Sequence, residues 1–193
     1  MAVAKRARPS TDPAGARLRG KALLERARRV RLMIFDVDGV LTDGRLWYGP
    51  RGEELKAFNT LDGHGIRMLA STGVRIAILS GRSSRAVALR AKDLGIDLVR
   101  QGVEDKRAGF EELVARLELH ASAAGCMGDD VVDLPAMRRG GFACATREAP
   151  ALVRRHAHYV AQAPAGAGAV REVCELLMRA QGTLDTVLRR YLG

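Results

Sequence analysis

Short apolar runs alternate with helically spaced ones along most of this chain. The first run, Leu32-Met33-Ile34-Phe35, holds no polar residue and is short enough for a strand buried on both faces. Val74-Arg75-Ile76-Ala77-Ile78-Leu79 reads as a second strand and Ile96-Asp97-Leu98-Val99 as a shorter third. Ala123-Ala124-Gly125-Cys126-Met127 follows, then Gly141-Phe142-Ala143-Cys144 and Tyr159-Val160. Between these runs, Asp62-Gly63-His64-Gly65 leads into Ile66, Met68 and Leu69 of a helix closed by Gly73. Further helices are predicted from Ser84 to about residue 93, from Lys106 to about 117, over 134–138, from Pro150, and over 169–180. Strands alternating with helices predict an α/β fold, a doubly wound and mostly parallel sheet covered on both faces. Two β-prone stretches, 45–48 and 53–58, flank Gly49-Pro50-Arg51-Gly52, so a β-hairpin projects after the first strand. Leu18, Ala22, Leu23 and Ala27 predict a short amphipathic helix over 14–29, and residues 1–13 read as disordered. The expected organisation is a basic leader (1–23), one folded domain (24–185) and a short tail (186–193).

Composition narrows the classes. The 193 residues are 47% hydrophobic, enough for one domain with a substantial core. No apolar stretch approaches the ~20 residues of a membrane span. The N-terminus is basic but lacks the apolar centre of a signal peptide, which points to a cytoplasmic protein. Cys126, Cys144 and Cys174 are odd in number, without CxxC spacing and in apolar surroundings. They read as buried free thiols of a reducing compartment. The net charge of +10 is lopsided: residues 1–31 carry ten Lys or Arg against Asp12 and Glu25, leaving only +2 for the rest. That distribution, with 4% aromatic residues, describes a solvated arm and no stacking platform, so no nucleic-acid partner is expected.

The candidate chemistry begins where the first strand ends, at Asp36-Val37-Asp38-Gly39-Val40-Leu41-Thr42-Asp43-Gly44. At strand period Asp36 and Asp38 point to one side, and Gly39 permits a sharp turn close to an anion. Alone, such a motif is as easily an ordinary turn. Later loops, however, deliver Ser80, Lys106, and Asp129 with Asp130, and in a parallel sheet all strand ends share one edge. Clustered aspartate oxygens suit Mg2+, while a hydroxyl and an ammonium can hold phosphoryl oxygens. One carboxylate can attack phosphorus and a second can shuttle the proton of the leaving group and of water. Asp130 and Asp133 are read either as groups orienting a metal shell or as helix N-caps. Arg67 and Arg90 could be plain exposed helix charges, His64 reads as a loop residue, and Met127 and Met137 as core packing. Gly166-x-Gly168 is only a fragment of a dinucleotide fingerprint, and no GxxxxGK[ST] loop is present.

The order Asp36-x-Asp38, Ser80, Lys106, Gly128-Asp129-Asp130 resembles the haloacid dehalogenase superfamily of aspartate-nucleophile phosphatases. The resemblance implies Asp36 as nucleophile, Asp38 as general acid and base, and Ser80 and Lys106 as positioning the transferring group. It also implies Mg2+ held by Asp36, the backbone carbonyl of Asp38, and Asp129. Within that superfamily, the Asp36–Gly44 loop, the hairpin and Glu54-Leu55-Lys56-Ala57-Phe58-Asn59 resemble the 3-deoxy-D-manno-octulosonate 8-phosphate phosphatases. So do Asp62-Gly63-His64-Gly65-Ile66, Ser80-Gly81-Arg82 and Gly168-Ala169-Val170-Arg171-Glu172-Val173-Cys174. This narrower likeness implies a capless enzyme of lipopolysaccharide precursor synthesis, acting on an acidic sugar phosphate. It implies a homotetramer with its hairpins at the centre and a C-terminal part reaching a neighbour's site. Its substrate contacts fall on Asp38, Asn59, Thr60, Leu61, Asp62, Gly63, Arg67, Arg82, Arg90 and Lys106; arginine forks match the geometry of a carboxylate. A phosphatase for another sugar acid, such as a nonulosonate 9-phosphate, and a non-catalytic binding module of the same fold are the alternatives.

Overall fold

The computed structural model describes residues 20–50 and 54–192. The expected disorder of residues 1–13 lies outside the described residues, as do residues 51–53 of the expected hairpin; the leader expected over 1–23 gives way to a helix from Lys21 to Arg28 whose Leu23 is buried. Six parallel strands form one sheet: β1 (Leu32–Phe35), β4 (Arg75–Leu79), β5 (Leu98–Arg100), β6 (Ala124–Gly128), β7 (Phe142–Ala145) and β8 (Tyr159–Val160). Their spatial order is β5-β4-β1-β6-β7-β8. The chain therefore builds outward from β1 on one side, then returns and builds outward on the other. The reversal leaves a crevice beside the carboxyl end of β1, the position at which open α/β sheets take ligands. The hairpin is present as β2 (Trp47–Tyr48) paired antiparallel with β3 (Glu54–Leu55). Among the described residues no helix is long and apolar enough to cross a membrane.

Alternation along β1 explains its wholly apolar sequence. Met33 and Phe35 enter a core formed with α1 (Lys21–Arg28), α2 (Thr60–Ala70), α3 (Arg85–Leu94), α7 (Ala169–Gln181) and α8 (Leu184–Arg189). Leu32 and Ile34 enter a second core on the opposite face, with α4 (Lys106–Arg116), α5 (Leu134–Met137) and α6 (Ala151–His156). In α7 the buried set Ala169, Val170, Val173, Cys174, Leu177, Met178 and Ala180 recurs every three to four residues and makes a single apolar face. Fully burying one of its larger side chains, such as Leu177, contributes about 1.5–3 kcal/mol. The three cysteines are buried free thiols. Packing does not stop at residue 185, where the tail was expected to begin. Leu184 and Val187 of α8 are both buried.

The second helix begins earlier than its apolar pattern suggests. Asn59 caps it, its Oδ1 accepting from the N–H of Leu61 at 2.8 Å and of Asp62 at 3.3 Å. Gly63 and Gly65, which read as a loop, lie inside the helix because neighbours press on them. A Cβ at Gly63 would stand 2.2 Å from an Arg90 guanidinium nitrogen, and one at Gly65 2.7 Å from Arg171 Cδ. Asp62 faces the start of α7, where it accepts from Gly168 N–H at 3.2 Å and Arg171 N–H at 2.8 Å. It is 1% exposed, and burial raises its carboxyl above the ordinary range against the pull of those backbone donors. The carboxylate thus substitutes for the missing acceptors of a helix N-terminus and locks α2 to α7. Asp62→Ala is expected to lower unfolding stability by about 1–3 kcal/mol in urea titration, and Asp62→Asn by less. An unchanged midpoint in Asp62→Ala would show that this clamp carries no weight.

Candidate active site

Asp36 is the first residue past β1, its N–H bonded to Met127 O of the adjacent β6 at 3.0 Å. The loop that follows is tied by Thr42, which is buried and whose Oγ1 accepts from Gly44 N–H at 3.2 Å and lies 3.4 Å from Gly39 N and Val37 O. Gly39 has φ +84°, and a Cβ there would stand 2.1 Å from Asp129 Oδ2. Any larger residue would be strained and would displace that aspartate. Asp105 caps α4, accepting from Arg107 and Ala108 N–H, and so fixes Lys106 as the first residue of the helix. Lys106 is 4% exposed, with its Nζ 2.9 Å from Asp36 Oδ1 and in contact with Asp133 Oδ1. The other oxygen of Asp133 accepts from Asp129 N–H at 2.9 Å and Asp130 N–H at 3.1 Å. Asp130 caps the following 3-10 turn through Val131 N–H at 2.7 Å.

Oxygens of Asp36, Asp129 and Asp133 lie within 4.8 Å of one another, a hard donor set of the kind divalent cations take. Both oxygens of Asp133 are engaged by Lys106 and by backbone N–H groups, so it supports the loop and leaves Asp36 and Asp129 as the side chains able to hold the ion. The electrostatics agree. Burial, then Asp133 and Asp36, push the Asp129 carboxyl up to about 8. Burial and Asp133 push Asp36 up to about 6, against the pull of Lys106. Burial alone would lower the Lys106 ammonium, but Asp36 and Asp133 outweigh it and hold it above its ordinary value. The cluster therefore has one cation too few for its carboxylates, and a divalent ion fits it.

Asp38 points elsewhere. Its Oδ1 meets Nζ of Lys56, one residue past β3, and its Oδ2 lies 3.8 Å from Arg82 Nε. Arg82 in turn donates to Tyr48 Oη at 2.8 Å. Ser80, 2% exposed, follows β4 directly and accepts from Arg82 N–H at 3.3 Å. The other expected contacts scatter. Thr60 and Leu61 are exposed at the start of α2, while the Asn59 oxygen is committed to capping. Arg90 donates to Asn59 O at 3.0 Å and lies over the Phe58 ring at 5.8 Å, pressing on Gly63. Arg67, about 10 Å along α2 from Thr60, donates to Asp93 O near the end of α3. Within one chain Arg67 and Arg90 thus brace helices. Lys56 stands in the sequence only within the Glu54–Asn59 stretch of the resemblance, with no role of its own. The supporting role of Asp133 was one of two readings left open.

Sites of this layout, on a parallel sheet whose β1–α2 connection holds only a hairpin among the described residues, define the capless haloacid dehalogenase-type phosphatases. No family model matches the chain. It is 43% identical over 163 residues to 3-deoxy-D-manno-octulosonate 8-phosphate phosphatase KdsC of Yersinia pestis, covering 84% of this chain and 87% of that one. A crystal structure of a probable YrbI family phosphatase from Pseudomonas syringae superposes with a TM-score of 0.88 at 47% identity, over 90% of this chain and 99% of the other. The 3-deoxy-D-manno-octulosonate 8-phosphate phosphatase of Moraxella catarrhalis, solved with magnesium, phosphate and KDO, superposes at 0.86 with 38% identity, over 88% and 98%. The chain belongs to the 3-deoxy-D-manno-octulosonate 8-phosphate phosphatase family.

The raised carboxyls have a consequence for stability without a cation. Between the unfolded value of 3.8 and the folded values of about 6 and about 8, the folded chain binds more protons than the unfolded one. Asp36 and Asp129 therefore favour folding at low pH, and that contribution is lost as pH rises through those values. Added Mg2+ is expected to raise the melting temperature by several degrees near pH 8 and by less near pH 5. Asp129→Asn is expected to raise the cation-free midpoint near pH 8 and to abolish the Mg2+ shift. Calorimetry with and without EDTA decides; a Mg2+ shift that survives in Asp129→Asn would put the ion elsewhere.

Proposed function

We propose that this protein is a Mg2+-dependent phosphomonoesterase that hydrolyses 3-deoxy-D-manno-octulosonate 8-phosphate to the free sugar acid and phosphate, in the cytoplasmic synthesis of lipopolysaccharide precursors. The reading rests above all on Asp36, a buried carboxylate 2.9 Å from Lys106 Nζ at the carboxyl edge of β1, in a chain so similar to phosphatases of that substrate. Asp36, Asp129 and the backbone carbonyl of Asp38 hold Mg2+, which supplies positive charge against phosphoryl oxygens and against the crowded carboxylates.

The chain's own groups do the rest. An Asp36 oxygen attacks phosphorus while the bond from phosphorus to the sugar oxygen breaks, and the Asp38 carboxyl proton passes to that leaving oxygen. The products are an aspartyl-phosphate on Asp36, a free alcohol and an Asp38 carboxylate. Asp38 then takes a proton from water as the water oxygen attacks phosphorus. Asp36 leaves as carboxylate, phosphate departs, and Asp38 is again protonated. Lys106 keeps Asp36 ionised and, with Ser80, orients the phosphoryl oxygens. Arg82, at the rim, meets the substrate carboxylate.

The assembly is a homotetramer built on the hairpins. Trp47 and Leu55 are 59% and 63% exposed on β2 and β3, large apolar surface that a second copy would cover. In that assembly the C-terminal α8 reaches a neighbouring site. The catalytic domain extends from α1 through α8, since Leu23, Leu184 and Val187 are buried in its core.

Phosphate release with Mg2+ against EDTA tests the reading. The panel holds 3-deoxy-D-manno-octulosonate 8-phosphate, a nonulosonate 9-phosphate and neutral sugar phosphates. The octulosonate is expected to be preferred, and Asp36→Asn to lose more than about 10³-fold in kcat with its melting curve intact. Wild-type-like turnover in Asp36→Asn would remove it as nucleophile, and equal rates on neutral sugars would remove the arginine as carboxylate reader.

A further inference from the structure

The most unusual charge outside the Asp36–Lys106–Asp133 cluster is Lys56. Its side chain is fully buried, and its Nζ contacts Asp38 Oδ1. Lysine is almost never buried without a partner, because its compact ammonium is so strongly hydrated. The fold therefore gives up that hydration to bring a cation against one oxygen of one aspartate. The opposite oxygen of Asp38 lies 3.8 Å from Arg82 Nε, and Arg82 is itself held by Tyr48 Oη at 2.8 Å. Tyr48 belongs to β2, and Lys56 follows β3 by one residue. Both arms of the hairpin thus reach the same carboxyl group, one directly and one through Arg82.

Resting on the phosphatase reading above, we propose that Lys56 is a positioning residue for proton transfer: it fixes the rotamer of Asp38 so that one oxygen faces the leaving group. A free aspartate side chain explores several rotamers, and only some bring its oxygen to the bond being broken. Held through Oδ1 at the hairpin base, the carboxyl presents its second oxygen from a fixed direction. The requirement is geometric, so it bears on the step that needs a proton delivered and spares the attack by Asp36. The hairpin, beyond any assembly surface it offers, becomes a strut of the acid-base machinery.

The test separates those two steps by leaving group. A sugar alcohol leaves only with a proton, whereas nitrophenolate leaves from 4-nitrophenyl phosphate without one. Lys56→Met, with Mg2+ present, is expected to slow single-turnover release of the alcohol from 3-deoxy-D-manno-octulosonate 8-phosphate by about 10²-fold. The first-turnover burst of nitrophenolate should fall by less than about threefold, and KM for the sugar phosphate should stay within about twofold. In an Asp38→Asn background the same substitution should add nothing, because Lys56 then has no acid to aim. Equal slowing of both leaving groups, or a further loss in the Asp38→Asn background, would overturn the inference in favour of a general structural role. So would no change in either. Should Lys56→Met fail to fold, Lys56→Arg carries the comparison. Its longer fork displaces the carboxyl, so alcohol release falls more than the nitrophenolate burst, and equal effects count against the proposal. If the unaltered chain releases neither alcohol, the phosphatase reading falls and this inference with it. If it releases both and only the variant pattern fails, the phosphatase reading stands.

Discussion

One buried ammonium governs the site. Lys106 has Asp36 on one side and Asp133 on the other, and Asp133 spends its second oxygen on the backbone of Asp129 and Asp130. Asp36, the loop carrying Asp129 and the start of α4 are therefore a single hydrogen-bonded unit, with its reach set by the Asp105 cap. Removing one member of such a buried pair typically costs about 3–5 kcal/mol, since the partner is left charged and unsolvated. That cost works in the site's favour. Misplacing any element that carries one of these groups is penalised by the rest, so the geometry is enforced by the same interactions that hold the fold.

The strand framework was largely legible in the sequence because a centre strand covered on both faces must be apolar at every position. Leu32–Phe35 is such a run, and its boundaries agree with β1. The hairpin was legible from a Gly/Pro turn between β-prone runs. The start of α2 was not, since glycines at 63 and 65 are poor helix formers and their justification lies on other elements, in Arg90 and Arg171. The tail was misjudged for a related reason: Leu184 and Val187 become core residues only once α7 has turned back at Gly182.

At the site, the clustering of Asp36, Lys106 and Asp129 was legible because aspartates and a lysine after strand ends have few other uses in combination. The supporting residues were harder. Asn59, Asp62 and Arg90 stand close in sequence to the site and carry ligand-like chemistry, yet the single chain uses them as a cap, a helix clamp and a brace. Lys56 is the reverse case, an unremarkable lysine in sequence that becomes a buried partner of Asp38 through tertiary placement alone. Polar side chains serve a helix terminus and a substrate by the same hydrogen bonds, so residue type cannot separate the two roles; only the partner can.

The strand order also constrains how the molecule comes into being. The strand bearing Asp36 is synthesised early, but its neighbours in the sheet are β4 and β6, and the helices covering one of its faces begin only at Lys106. A nascent chain released at its midpoint would present an apolar ribbon with no partner on one edge and no cover on one face. Such topology pays loop-closure entropy before it gains contacts, which slows folding and favours association of unfinished chains. The arrangement that gathers Lys106 and the 127–133 segment around Asp36 thus ties the appearance of activity to completion of nearly the whole polypeptide.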